Sequence, residues 1–150
     1  MSAYRTVVVG TDGSGSSLRA VRRAGALAGA CGARLVIVCA YLPPRADERE
    51  VRPGEPGEGA HRVVGSAPAA DTVRAAAEEA LAAGAREVEQ VAVLGSAVET
   101  LLDVVHRAQA DLLVIGNRGL GGLKGGLMGS VPADVTRRSS VDVLVVHTTG

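Results

Sequence analysis

Short apolar runs recur along the chain, and each is followed by a stretch with helical character. The runs are TVVVG (6–10), RLVIVCA (34–40), VEQVAVLG (88–95), DLLVIG (111–116) and VDVLVVH (141–147). They are β-branched, bounded by Gly, Asp or Pro, and too short for helices, so they predict five strands, mostly buried on both faces. The stretches SSLRAVRRAGALAGA, DTVRAAAEEALAAGA, SAVETLLDVVHRAQA and SVPADVTRRSS carry helix-type spacing or the high helix propensity of Ala. Ser96 and Glu99 are spaced as a capping box at the start of the third. Strict alternation of strand and helix predicts a parallel sheet with right-handed crossovers and helices on both faces. The expected architecture is an α/β, open doubly wound fold forming a single domain over residues 1–150.

One segment breaks the alternation. Residues 43–68, PPRADEREVRPGEPGEGAHRVVGSAP, are rich in Pro, Gly and charge and lack a sustained apolar period. They are expected to form a long mobile loop, either a lid or partner-binding element or a tolerated insertion. His61 within it is read as solvated.

Composition narrows the function classes. The chain has 150 residues, of which 47% are hydrophobic, with no Trp or Phe, so the core must be built from Val, Leu, Ile and Ala. Aromatic platforms on which single-stranded nucleic acid could stack are missing. The formal net charge is zero, which removes the electrostatic footprint of a general polyanion binder, and no nucleic-acid partner is expected. Cys31 and Cys39 form neither a CxxC pair nor a metal-ligand spacing; they read as buried or half-buried thiols, and no metal is implied. The opening MSAYRTVVVG lacks a signal-peptide apolar region, and no run approaches the ~20 apolar residues of a membrane span. A cytoplasmic protein without a membrane partner is the expectation.

In open parallel sheets, ligands bind beyond the carboxyl ends of the strands, where the strand order reverses. The first strand ends at Gly10-Thr11-Asp12-Gly13-Ser14, and the fourth runs into GNRGLGGLKGGLMGS (116–130). In a Rossmann-like order 3-2-1-4-5 these two ends flank one crevice. Such a density of glycine is either a floppy surface loop or a backbone that must approach something closely. Gly116, Gly119 and Gly129 would let backbone N–H groups point inward together as a nest, and Ser130 stands at the N-cap of the last helix with first-turn N–H groups unpartnered. Such an end attracts phosphate. Pro132 is tolerated in that first turn. Asp12, acceptor-only when ionised, suits ribose hydroxyls, so the pair describes a nucleotide across the crevice. Lys124, the only lysine, is followed by Gly and not by Ser or Thr, so a P-loop reading fails. GSGSSL (13–18) lacks the third glycine of a dinucleotide fingerprint, and Arg34 stands roughly where the acidic ribose ligand would be.

These residues resemble a known family. Gly116-x2-Gly119-x9-Gly129-Ser130 matches the G-x2-G-x9-G-[ST] signature of the ATP-binding universal stress proteins. The opening VVVGTDGS and the terminal DVLVVH look like that family too, so the likeness covers almost the whole chain. It implies a five-stranded fold of order 3-2-1-4-5 that binds ATP. It further implies that Thr11, Asp12 and Ala40 frame adenine and ribose, while Gly116, Gly119, Gly129, Ser130 and Val131 hold ribose and phosphates. Gly10 and Ile115, at the adjoining strand ends, and Arg118 complete the candidate set. Asn117-Arg118 stands where the family often has Ser-His or Ser-Arg, and Ala40 where a larger aliphatic is common. Tyr41 either compensates for that loss or is a partly exposed strand-end residue. Arg118 and Lys124 could each reach phosphate oxygens, Arg bidentately; Lys124 could equally be solvated.

Catalysis is not legible: no nucleophile–base pair and no carboxylate cluster for two metals is present. His106 and His147 read as structural or solvated. Mg²⁺ would ride mainly on the phosphates. The favoured function is a nucleotide-responsive stress or signalling module with an unidentified protein partner. A slow ATPase or phosphoryl-transfer enzyme, a cyclic-AMP binder and a nucleotide-independent interaction protein are the alternatives. The last strand, an edge in this order, has a long apolar run without internal Lys or Pro. A homodimer through Val141 to Val146 is therefore expected.

Overall fold

The computed structural model describes residues 2–44, 63–118 and 130–148. The elements run β1 (Thr6–Gly10), α1 (Gly15–Cys31), β2 (Arg34–Tyr41), α2 (Ser66–Ala83), β3 (Glu87–Leu94), α3 (Ala97–Arg107), β4 (Leu112–Gly116), α4 (Ser130–Arg138) and β5 (Asp142–Val146). All strand pairs are parallel, and the order is β3-β2-β1-β4-β5. Expected and observed order agree.

The pleat divides the core in two, since alternate strand residues face opposite sides. Val7, Val9, Leu35, Ile37, Leu112 and Val114 pack under α1 and α2. Val8, Val36, Val38, Leu113 and Ile115 pack under α3 and α4. The first layer is thin because its helices present mainly alanine. A Cβ added at Gly25 would lie 2.7 Å from the Ala80 carbonyl oxygen, and one at Gly29 would collide with the Gly84 carbonyl, so α1 and α2 meet backbone to backbone. Only glycine allows that approach.

Three expectations need correction. Burial on both faces holds for β1 and β4 and for most of β2, but β3 and β5, the edges, are made of exposed and half-buried positions apart from the buried Val146 at the end of β5. The excursion expected over 43–68 ends sooner: Val63 is buried, Leu42 bridges Val64, and α2 starts at Ser66 behind Gly65. Residues 45–62, His61 included, lie outside the described residues. Ser96 does sit at the N-cap of α3, but its side chain makes no capping bond. Glu99 is drawn instead to Arg138 of α4, 2.8 Å away.

The starts of the two central strands are tied together. The Asp111 carboxylate accepts the N–H groups of Arg5 and Thr6 at 3.0 and 3.1 Å. With that end fixed, Val9 lies opposite Val114 near the other end, where the crevice opens.

Candidate functional site

From β1 the chain passes to α1 on one face, and beyond β4 lies α4 on the other. This divergence of neighbouring strands is what makes a crevice at a switch point. The turn out of β1 is built from short polar side chains. Thr11 donates its N–H to the Val38 carbonyl at 2.9 Å, and its hydroxyl shares a hydrogen with that of Ser17 at 2.9 Å while accepting the Gly13 N–H at 3.1 Å. The Asp12 N–H reaches the Ser17 hydroxyl, and Asp12 Oδ1 accepts the Ser14 N–H at 2.9 Å. Gly13 absorbs the reversal with φ of 85°. Ser14 then caps α1 by accepting the Ser17 N–H.

This network fixes Asp12, which is 6% exposed. Its charge is felt by Cys39 on β2: burial, aided by the Asp12 carboxylate, pushes the thiol up to about 11. Cys39 therefore stays protonated at neutral pH and supplies no thiolate.

The exit of β4 forms the opposite lip. Ile115 and Gly116 are buried, and a Cβ at Gly116 would lie 3.1 Å from the Thr148 methyl. A larger residue at 116 would therefore press on Thr148. Asn117 continues the ladder, donating its N–H to the Val146 carbonyl at 2.8 Å. Its Oδ1 accepts both the N–H and the hydroxyl of Thr148, at 2.8 and 2.9 Å. The Thr148 hydroxyl also meets the Ser16 hydroxyl at 2.6 Å, and Arg19 donates to the Thr148 carbonyl at 2.7 Å. Sequence reasoning missed Ser16, Asn117 and Thr148 as a group. Thr148 follows the last strand and cannot be told from a solvated tail without knowing that it reaches α1.

Of the candidate residues, Gly10, Thr11 and Asp12 share the β1 end, and Ile115 and Gly116 the adjacent β4 end. Thr11 is 1% exposed with its hydroxyl engaged, so it shapes the turn. Ala40 is half-buried near the end of β2, and Tyr41 packs partly against the α1–α2 core. Arg118 is half-buried; Ser130 opens α4, exposed, and Val131 packs against the α3–α4 core. Gly119, Lys124 and Gly129 lie outside the described residues. His106 and His147 are exposed. Among the described residues no group of three or more His, Cys, Asp or Glu is placed to hold a metal ion, and no helix is long and apolar enough to cross a membrane. A groove of about 310 Å³ lies between α3 and strands β2 and β3, lined by Arg34, Glu89, Val91, Asp103 and Arg107. It starts from the opposite end of β2 and is separate from the crevice.

Comparison with known proteins agrees with this geometry. Residues 3–147 match the model of the universal stress protein family. The chain is 50% identical to the universal stress protein Rv1636 of Mycobacterium tuberculosis, over 99% of this chain and 100% of that one. A crystal structure of a universal stress protein in complex with cAMP is 46% identical, covers 99% of this chain and 100% of its own, and superposes with a TM-score of 0.75. The universal stress protein of Archaeoglobus fulgidus in complex with dAMP shares the fold at 20% identity and a TM-score of 0.68, covering 95% of this chain and 97% of its own. With a sheet of order β3-β2-β1-β4-β5, a crevice at its switch point and half its residues in common with a named member, this chain belongs to the universal stress protein family.

Proposed function

We propose that the crevice binds an adenine nucleotide, with ATP the favoured ligand, and that the protein is a nucleotide-responsive stress or signalling module. The observation that carries this reading is the buried Asp12 carboxylate, fixed by Ser14 at the end of β1 and beside the Gly116 exit of β4. An anchored acceptor at a switch point suits ribose hydroxyls. Gly119, Gly129, Ser130 and Val131 would serve the phosphates, Arg118 would add charge, and Mg²⁺ would be held mainly by phosphate oxygens and water. Cyclic AMP is a second reading, favoured by the 46% identical relative whose structure is a cAMP complex. Binding without turnover, or at most weak hydrolysis, belongs to the same reading.

The same reading includes a cytoplasmic, single-domain homodimer paired antiparallel through β5, whose alternately exposed face includes Leu144.

Thermal melts with ATP and with cAMP test the ligand. At about 100 times Kd, linkage adds about 2.7 kcal/mol, which for a domain of this size raises Tm by roughly 5–10 °C. Asp12→Ala should abolish most of that rise. An unchanged melt with both nucleotides at millimolar concentration would sink the proposal.

A further inference from the structure

Thr148 is where both lips of the crevice and the edge strand meet. It lies just beyond β5 and is 4% exposed, although it is polar and close to the end of the chain. Each of its hydrogen-bonding groups is engaged. The N–H and hydroxyl go to Asn117 Oδ1 at 2.8 and 2.9 Å, and the carbonyl accepts from Arg19 at 2.7 Å. Because the Thr148 proton is committed to Asn117, the 2.6 Å contact with Ser16 is one in which Ser16 donates. A single direction of donation therefore runs from α1, through Thr148, to the exit of β4. The Thr148 methyl meanwhile covers Gly116 so closely that a Cβ there would lie 3.1 Å away and the methyl would have to give by a few tenths of an ångström.

We propose that Thr148 is a positioning residue for nucleotide binding: it clasps the α1 lip to the β4 lip and so sets the width of the crevice. The inference rests on the nucleotide reading above. Where neighbouring strands send the chain to opposite faces, their exits are joined only by the sheet ladder. Here the ladder is reinforced by side-chain bonds that cross it, and Asn117, the last link, leads directly into the glycine-rich segment. A lip held in one place spares the ligand the cost of ordering it. Loosening the clasp should thus weaken binding without removing any group that contacts the nucleotide.

The test uses the full chain and isothermal calorimetry with ATP and with cAMP, well below the melting range of every variant. Thr148→Val keeps the shape and deletes the hydroxyl; Thr148→Ser keeps the hydroxyl. The expected result is an about tenfold higher Kd for Thr148→Val and a return to within about twofold for Thr148→Ser, a range typical of residues that act through others. Ser16→Ala, a half-buried position in the first turn of α1, should raise Kd several-fold and covers the case in which Thr148→Val fails to fold. Amide exchange of Asn117 in the ligand-free protein should quicken in both weakened variants. Equal Kd in wild type, Thr148→Val and Ser16→Ala would overturn the clasp while leaving nucleotide binding intact. Wild-type protein that binds neither nucleotide would overturn the nucleotide reading, and the clasp with it.

Discussion

The two edges of the sheet are built on different terms. β3 is eight residues long, and its sequence EVEQVAVL places Glu87, Glu89 and Gln90 among exposed or half-exposed positions. Arg34 of β2 reaches Glu89 at 2.8 Å, so charge lies along the first half of this border, while the second half is apolar and ends in Leu94, 56% exposed. β5 is DVLVV, its one charge is Asp142 at the start, and that carboxylate accepts the Tyr4 hydroxyl at 2.9 Å. Beyond it only apolar side chains follow, with Leu144 37% exposed. Charged edges resist pairing with another chain, and uncharged ones invite it. The longer strand carries its charge over its first half, and the shorter carries a single carboxylate at its start.

That contrast can be broken in three steps of decreasing size. Val145→Pro deletes an N–H and stiffens β5, and should make the protein monomeric in light scattering at tens of micromolar. A dimer that persists would remove β5 from the interface. Leu144→Lys gives β5 the kind of charge β3 already has, and should raise the dimer dissociation constant about tenfold, while Ala92→Lys on the exposed face of β3 leaves it unchanged. If Ala92→Lys weakens the dimer and Leu144→Lys does not, the edges have been assigned the wrong way round. The smallest effect is at Tyr4. Its phenol lies above the ordinary range chiefly because it donates to Asp142, whose negative charge further opposes phenolate. Asp142→Asn should lower the titration midpoint followed by ultraviolet absorbance, with assembly unaltered.

β1 is readable to the residue because the apolar Val7, Val8 and Val9 stand between Thr6 and Gly10, and β4 is nearly so. Strict alternation limits the topology to an open parallel sheet but leaves more than one strand order, and the order observed is the one that the family resemblance implies. The start of α2 was missed because Pro68 looks like a breaker, yet it stands in the first turn, where a missing N–H costs nothing; Pro132 in α4 obeys the same rule and was read correctly. Asp12 and Gly116 were legible as a pair because each ends a strand next to the other. The Ser16–Thr148 contact was not, since 132 positions separate the partners and neither belongs to a periodic pattern. Edge exposure was also hidden: VEQVAVLG shows its alternation, but VDVLVVH is apolar enough to pass for a central strand.

Cys39 gives the molecule an internal clock. Fully buried and protonated, it cannot react with an alkylating reagent until the sheet around it parts, whereas Cys31 at the end of α1 is half-exposed and reacts on the reagent's own timescale. When reclosing outpaces alkylation, the ratio of the two labelling rates measures the fraction of time that the sheet around Cys39 is open, independently of reagent concentration, because both thiols meet the same solution.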